Sequence, residues 1–150
     1  MRRFIPWCVA AIAVGCAPAE EQPSQDQPAA AGTDWLADLA GTWTVTALAE
    51  SSDSVLITYE LNATQTSVGW TSTLPGREPT PVRVLLVDAD SVVAEAGPFE
   101  SALRPGVAVT TRSVARLQGD MLTGTIIARY TGAGADSILN GRLRGIRKAP

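Results

Sequence analysis

Histidine is absent from this 150-residue chain. Its absence removes Ser-His-Asp triads, Cys-His dyads and Cys/His zinc sites together. The two cysteines, Cys8 and Cys16, both fall within the first sixteen residues, so no disulfide can staple the chain beyond them. The one lysine, Lys148, stands near the end of the chain. Carboxylates, tyrosines and arginines are the acid–base groups that remain, and no pair of carboxylates has a spacing suited to shared proton transfer. An enzyme is therefore not expected, and no cofactor or metal is implied. The apolar run from Phe4 to Val14 is about half the ~20 residues that a membrane-crossing helix needs.

That short run has a different use. Arg2 and Arg3 precede it and small residues come after it, the arrangement of an export signal. It ends in Ala13-Val14-Gly15-Cys16, which resembles the lipobox of bacterial lipoproteins. The resemblance implies cleavage after residue 15, acylation of Cys16 and attachment to a membrane through that lipid. In Gram-negative lipoproteins, Ala17 in place of Asp further implies the outer membrane, facing the periplasm. Residues 16–33 hold the cysteine and the Pro-, Gln- and acid-rich stretch APAEEQPSQDQPAAAGT. That composition cannot bury enough surface to offset ordering, so it reads as a flexible tether. Residues 34–150 are enough for one compact domain.

Charge is unevenly spread. Loss of Arg2 and Arg3 leaves 10 basic against 15 acidic residues. Residues 34–100 hold 2 basic and 10 acidic side chains, whereas residues 101–150 hold 8 basic and 2 acidic. Either the late strands offer a basic face to an anionic group, or they pair with the acidic early strands across one sheet. An exported, net-acidic chain is not expected to bind nucleic acid.

From Gly41 onward, short β-branched segments alternate with turn residues, the pattern of an all-β protein. Strands are expected at 41–50, 54–62, 67–74, 81–88, 91–97, 106–117, 121–131 and 137–147. A helical turn precedes them at 34–39, with Asp34 as its cap. Eight sequential strands can close an up-and-down antiparallel β-barrel without exposed edges. Three connections at one end are short. The four at the other end, including LPGREPTP at 74–81 and PFESALRPG at 98–106, are longer and rich in Gly and Pro. Binding residues concentrate on such loops. Asp-Ser-Val or Asp-Ser-Ile recurs at 53–55, 90–92 and 136–138. Those motifs fall at both ends of a barrel, so they read as turn chemistry and not as a converging metal site.

The period of two assigns an inward face: Gly41, Trp43, Val45 and Ala47; Val55, Ile57, Tyr59 and Leu61; Val68, Trp70, Ser72 and Leu74; Leu122 to Tyr130 in alternation; and Leu139 to Gly145 likewise. Small residues on that face, such as Ala94, Ala96, Gly124, Ala128 and Gly141, either leave a cavity or let a filled barrel taper. Trp43, Tyr59, Trp70 and Tyr130 are the large aromatic members, and each carries a polar atom that needs a partner when buried.

Gly41-Thr42-Trp43 on a first strand after a helical turn resembles the Gly-x-Trp signature of lipocalins. The resemblance implies a lipocalin-like barrel with Trp43 at its closed end and a late basic residue across the ring, here Arg144 or Arg147. Avidin-like barrels open similarly, but they ring their pocket with several tryptophans, and only Trp70 is left for that task here. The expected function is a tethered barrel binding a small apolar or amphipathic molecule at the looped end. Tyr59, Trp70 and Tyr130 would line the site, and Arg77, Phe99 and Arg104 would meet a polar head. The alternative is a structural lipoprotein with a filled core that contacts an envelope protein partner.

Overall fold

A computed structural model describes residues 31–88, 90–132 and 134–149. The expected export signal, Cys16 and the tether as far as residue 30 lie outside these described residues. Helix α1 (Ala31–Leu39) leads into β1 (Gly41–Ala49), β2 (Val55–Ala63), β3 (Trp70–Thr73) and β4 (Thr80–Asp88). After these come β5 (Ser91–Glu100), β6 (Ala108–Gln118), β7 (Met121–Tyr130) and β8 (Ile138–Arg147). Each strand pairs antiparallel with the next, and β8 returns to β1, so the sheet closes into an eight-stranded up-and-down barrel. All eight expected strands are present, within a few residues of their expected ends.

The alternation that sequence shows as a period of two becomes inside and outside here. Trp43, Val45 and Ala47 are buried on β1, Val92, Ala94 and Ala96 on β5, and Leu143 on β8. Thr, Arg and Glu occupy most of the opposite face. A barrel that spans a membrane places its apolar band outward; this one places it inward. Among the described residues, no helix is long and apolar enough to cross a membrane.

Helix α1 seals one end. Leu36 and Leu39 are buried and Trp35 packs against the same core, one apolar stripe at helical spacing. The helix begins at Ala31, so Asp34 lies inside it and does not precede it as a cap. Carbonyls at its C-terminal end find side-chain donors. Trp43 Nε1 donates to Leu39 O at 2.9 Å, and the Arg147 guanidinium donates to Asp38 O and Ala40 O. Three groups that a helix end leaves orphaned are thereby satisfied.

Two inward assignments are corrected. Val68 is 74% exposed, and β3 begins only at Trp70. Thr64 Oγ1 donates to Val68 O at 2.6 Å, and Trp70 Nε1 donates to Thr66 O at 2.7 Å. Side chains thus capture the carbonyls that a strand would have offered to its ladder. Val55 is likewise exposed, because the β1–β2 register shifts at Ala47/Leu48. The bulge moves the inward position to Leu56, whose side chain reaches Gly141.

Part of the uneven charge resolves into pairs across the sheet. Arg116 meets Asp90 at 3.5 Å, Arg142 meets Asp53 at 2.9 Å and Lys148 meets Glu60 at 2.7 Å. In each, a late cation finds an early acid, which supports the cross-sheet alternative over a dedicated anion-binding face.

Candidate functional site

Behind the looped end lies a cavity of about 120 Å³. Its floor is Leu39 and Trp70, its wall includes Tyr59 and Ile126, and Phe99 and Leu103 stand toward the loops. Small residues make the space: Ala47, Ala94, Ala96 and Ala128 all face it. Glycines elsewhere do different work. A side chain at Gly124 would collide with the Val114 carbonyl of the neighbouring strand, so that glycine permits close strand approach. Of the two uses that small inward residues allow, this barrel therefore shows both.

The four inward aromatics divide by chemistry. Both indole N–H groups donate to a carbonyl four residues upstream, Trp43 to Leu39 and Trp70 to Thr66. Neither phenol does the same. Among the described residues, the hydroxyls of Tyr59 and Tyr130 have no hydrogen bond. Every fully enclosed side-chain polar atom among those residues does have a partner, so both oxygens open onto reachable space. Burial pushes the Tyr59 hydroxyl well above its ordinary value near 10.0, because desolvation disfavours the phenolate. Tyr59 still keeps some accessible surface, and it is among the residues that line the cavity.

Charge is nearly excluded from the lining. Glu95 is the one ionisable acid or base other than tyrosine among the lining residues, and its carboxylate turns outward to Arg83. Ser72, Ser101, Thr111, Ser113 and Asn140 add neutral polar groups to a mainly apolar lining.

The arginines expected to meet a polar head sit at the mouth, where each also ties loops together. Arg77 donates to Glu100 O and joins the β3–β4 loop to β5. Arg104 stacks 4.1 Å from the centre of the Tyr130 ring and donates to Asp136 O at 2.7 Å, joining the β5–β6 and β7–β8 loops. Sequence reasoning missed a third, Arg142, which donates to Ser52 O at 2.7 Å and to the Asp53 carboxylate. It also missed Ser101, which is buried under the mouth. Its Oγ accepts from the N–H groups of Leu103 and Arg104, both at 3.1 Å. A serine at the head of a short turn is the available signal for such a cap.

At the sealed end, Arg147 is the partner of Trp43, 4.2 Å from the ring centre and opposite it in the β1–β8 register. Arg144 is opposite Thr46 and points outward. Gly41 has φ +133°, and a Cβ there would lie 2.7 Å from Arg147 Nη1. Glycine thus lets the chain turn from helix into strand and leaves room for the guanidinium. Gly41, Trp43 and Arg147 form one plug.

The wall has a short seam beside Tyr59. Strand β2 pairs with β3 only through Glu60, Leu61 and Asn62, so Val55–Tyr59 has no β3 partner. Tyr59 borders both the cavity and an outer groove formed by Thr58, Thr73, Leu74 and Arg77. Comparison with protein-family models, curated proteins and solved structures gives no match for this chain.

Proposed function

We propose that this chain is a membrane-tethered, non-catalytic lipoprotein whose barrel binds a small apolar or amphipathic ligand at its looped end. The apolar cavity reaching Leu74, Phe99 and Leu103 carries the reading, since such cavities are the usual sites of small-molecule binding. The tether rests on the lipobox-like residues Ala13 to Cys16 and the polar stretch after them. Acylation of Cys16 with two or more chains would hold the barrel durably at a membrane, in the outer membrane if the cell is Gram-negative.

The modest volume favours one alternative, because ligand pockets usually measure about 300–1,000 Å³. In that reading the core is effectively filled, and the loops contact an envelope protein. Native mass spectrometry of the chain from residue 16, carrying Cys16→Ser and gently purified, separates the two. Retained small-molecule mass, or a thermal shift across a panel of apolar compounds, supports the binder. A bare chain with no shift supports the filled core. Labelled palmitate incorporation into the wild-type chain, lost in Cys16→Ser, tests the anchor.

A further inference from the structure

We infer that the cavity selects an uncharged, ring-sized apolar molecule bearing one oxygen, and that the Tyr59 hydroxyl donates a hydrogen bond to that oxygen. This rests on the reading of the cavity as a binding site and adds the ligand's size, charge and polar contact.

Size comes from volume. Engineered apolar cavities of roughly 150 Å³ stay dry and take up one benzene ring; about 120 Å³ here admits a buried portion of similar bulk. Charge comes from the lining. Among the described residues, no arginine or lysine lines the cavity, and its one carboxylate, Glu95, is turned outward to Arg83. An ion entering such a space loses hydration and meets only neutral hydroxyls and an amide in its place, with no opposite charge inside.

The oxygen comes from Tyr59. An unpaired donor at a mainly apolar cavity favours a guest that supplies an acceptor. Its place at the short β2–β3 pairing puts that donor between the cavity and the outer groove. Tyr130 differs, because its ring lies under Arg104 at the rim.

Three probes of one shape test this on the Cys16→Ser chain: ethylbenzene, acetophenone and benzoate, titrated by calorimetry or ligand-detected NMR. Tyr59→Phe keeps the ring and removes the hydroxyl. It is expected to weaken acetophenone binding about three- to tenfold and to leave ethylbenzene within twofold. Thr125→Val, at a position exposed on the outer face of β7 and away from the cavity, leaves both within twofold. Benzoate is expected to show no saturable binding at 100 times the acetophenone Kd.

Equal responses of ethylbenzene and acetophenone to Tyr59→Phe overturn the Tyr59 assignment while the binder stands. Benzoate binding as tightly as acetophenone overturns the selection for neutral ligands. If neither ethylbenzene nor acetophenone binds the wild-type barrel, the cavity is not a site, and both the proposed function and this inference fall. Unchanged ethylbenzene affinity in Tyr59→Phe also reports that the variant is folded.

Discussion

Both ends of the barrel place an arginine over an aromatic ring at nearly the same distance, 4.2 Å for Arg147 on Trp43 and 4.1 Å for Arg104 on Tyr130. The surroundings of the two pairs differ. At the sealed end the polar groups are spent: the indole N–H and the guanidinium close the helix terminus carbonyl by carbonyl. At the looped end the arginine ties one long connection to the next, and the phenol beneath it has no hydrogen bond among the described residues. The same contact thus serves as a plug where its partners are saturated and as a strap where they are not. A site that exchanges a ligand needs the second arrangement, because only straps can yield without unfolding the wall.

The largest effect that breaks this contrast is Trp43→Ala. Trp43 is fully buried, so its loss leaves a cavity against the helix and an unpaired Leu39 carbonyl. Stability is expected to fall by about 3–5 kcal/mol, read from urea unfolding. Phe99→Ala at the mouth removes a half-buried ring and is expected to cost less than half as much. Equal costs would mean that the two ends are equally built into the fold.

The plug was more legible in the sequence than the mouth. Strict alternation and well-placed turn residues announced the barrel and left Arg144 and Arg147 as candidates to meet Trp43, between which the β1–β8 register selects Arg147. These are properties of regular strands, where a period of two carries the information. The mouth depends on departures from that period. The bulge that brings Leu56 inward and the carbonyl partners of Arg77, Arg104 and Arg142 all lie outside regular alternation, and at the sealed end the threonine hydroxyls that delay β3 until Trp70 are a departure of the same kind. The cavity was ambiguous for the same reason. Gly124 and Ala128 look alike as small inward residues, yet only the position of β6 decides that one is filled by backbone and the other by space.

The next effect is a pH dependence centred on Tyr59. Its pKa is raised by burial from the ordinary value near 10.0, so above that pH the unfolded chain releases a proton that the folded chain retains. The stabilisation from this difference is present in full below about pH 10 and is lost as pH rises further. The slope can reach about 1.4 kcal/mol per pH unit. Tyr59→Phe is expected to flatten the alkaline limb of a stability–pH curve and to leave the neutral region little changed. An alkaline limb of identical slope in both proteins would locate the transition elsewhere.

Smaller again is Arg147→Gln. It removes the stacking over Trp43 and the donors to Asp38 O and Ala40 O, for an expected loss of about 1–2 kcal/mol. The loss is expected to appear as faster hydrogen exchange in α1 and at the start of β1, with little change at the mouth.

The smallest effect on stability, and the sharpest test of the contrast, is Arg104→Gln. Arg104 sits at the rim, its bond to Asp136 O is exposed and its ring contact is partly solvated, so the thermodynamic loss is expected to stay below about 1 kcal/mol. Its kinetic effect should be larger, because the strap spans the two loops that a guest must part. Line-shape analysis of bound ethylbenzene is expected to show faster release from Arg104→Gln than from Arg147→Gln, even though the second variant is the less stable. If release instead tracks global stability in both variants, exchange proceeds by loosening the whole barrel, and the looped end is no more a mouth than the sealed one.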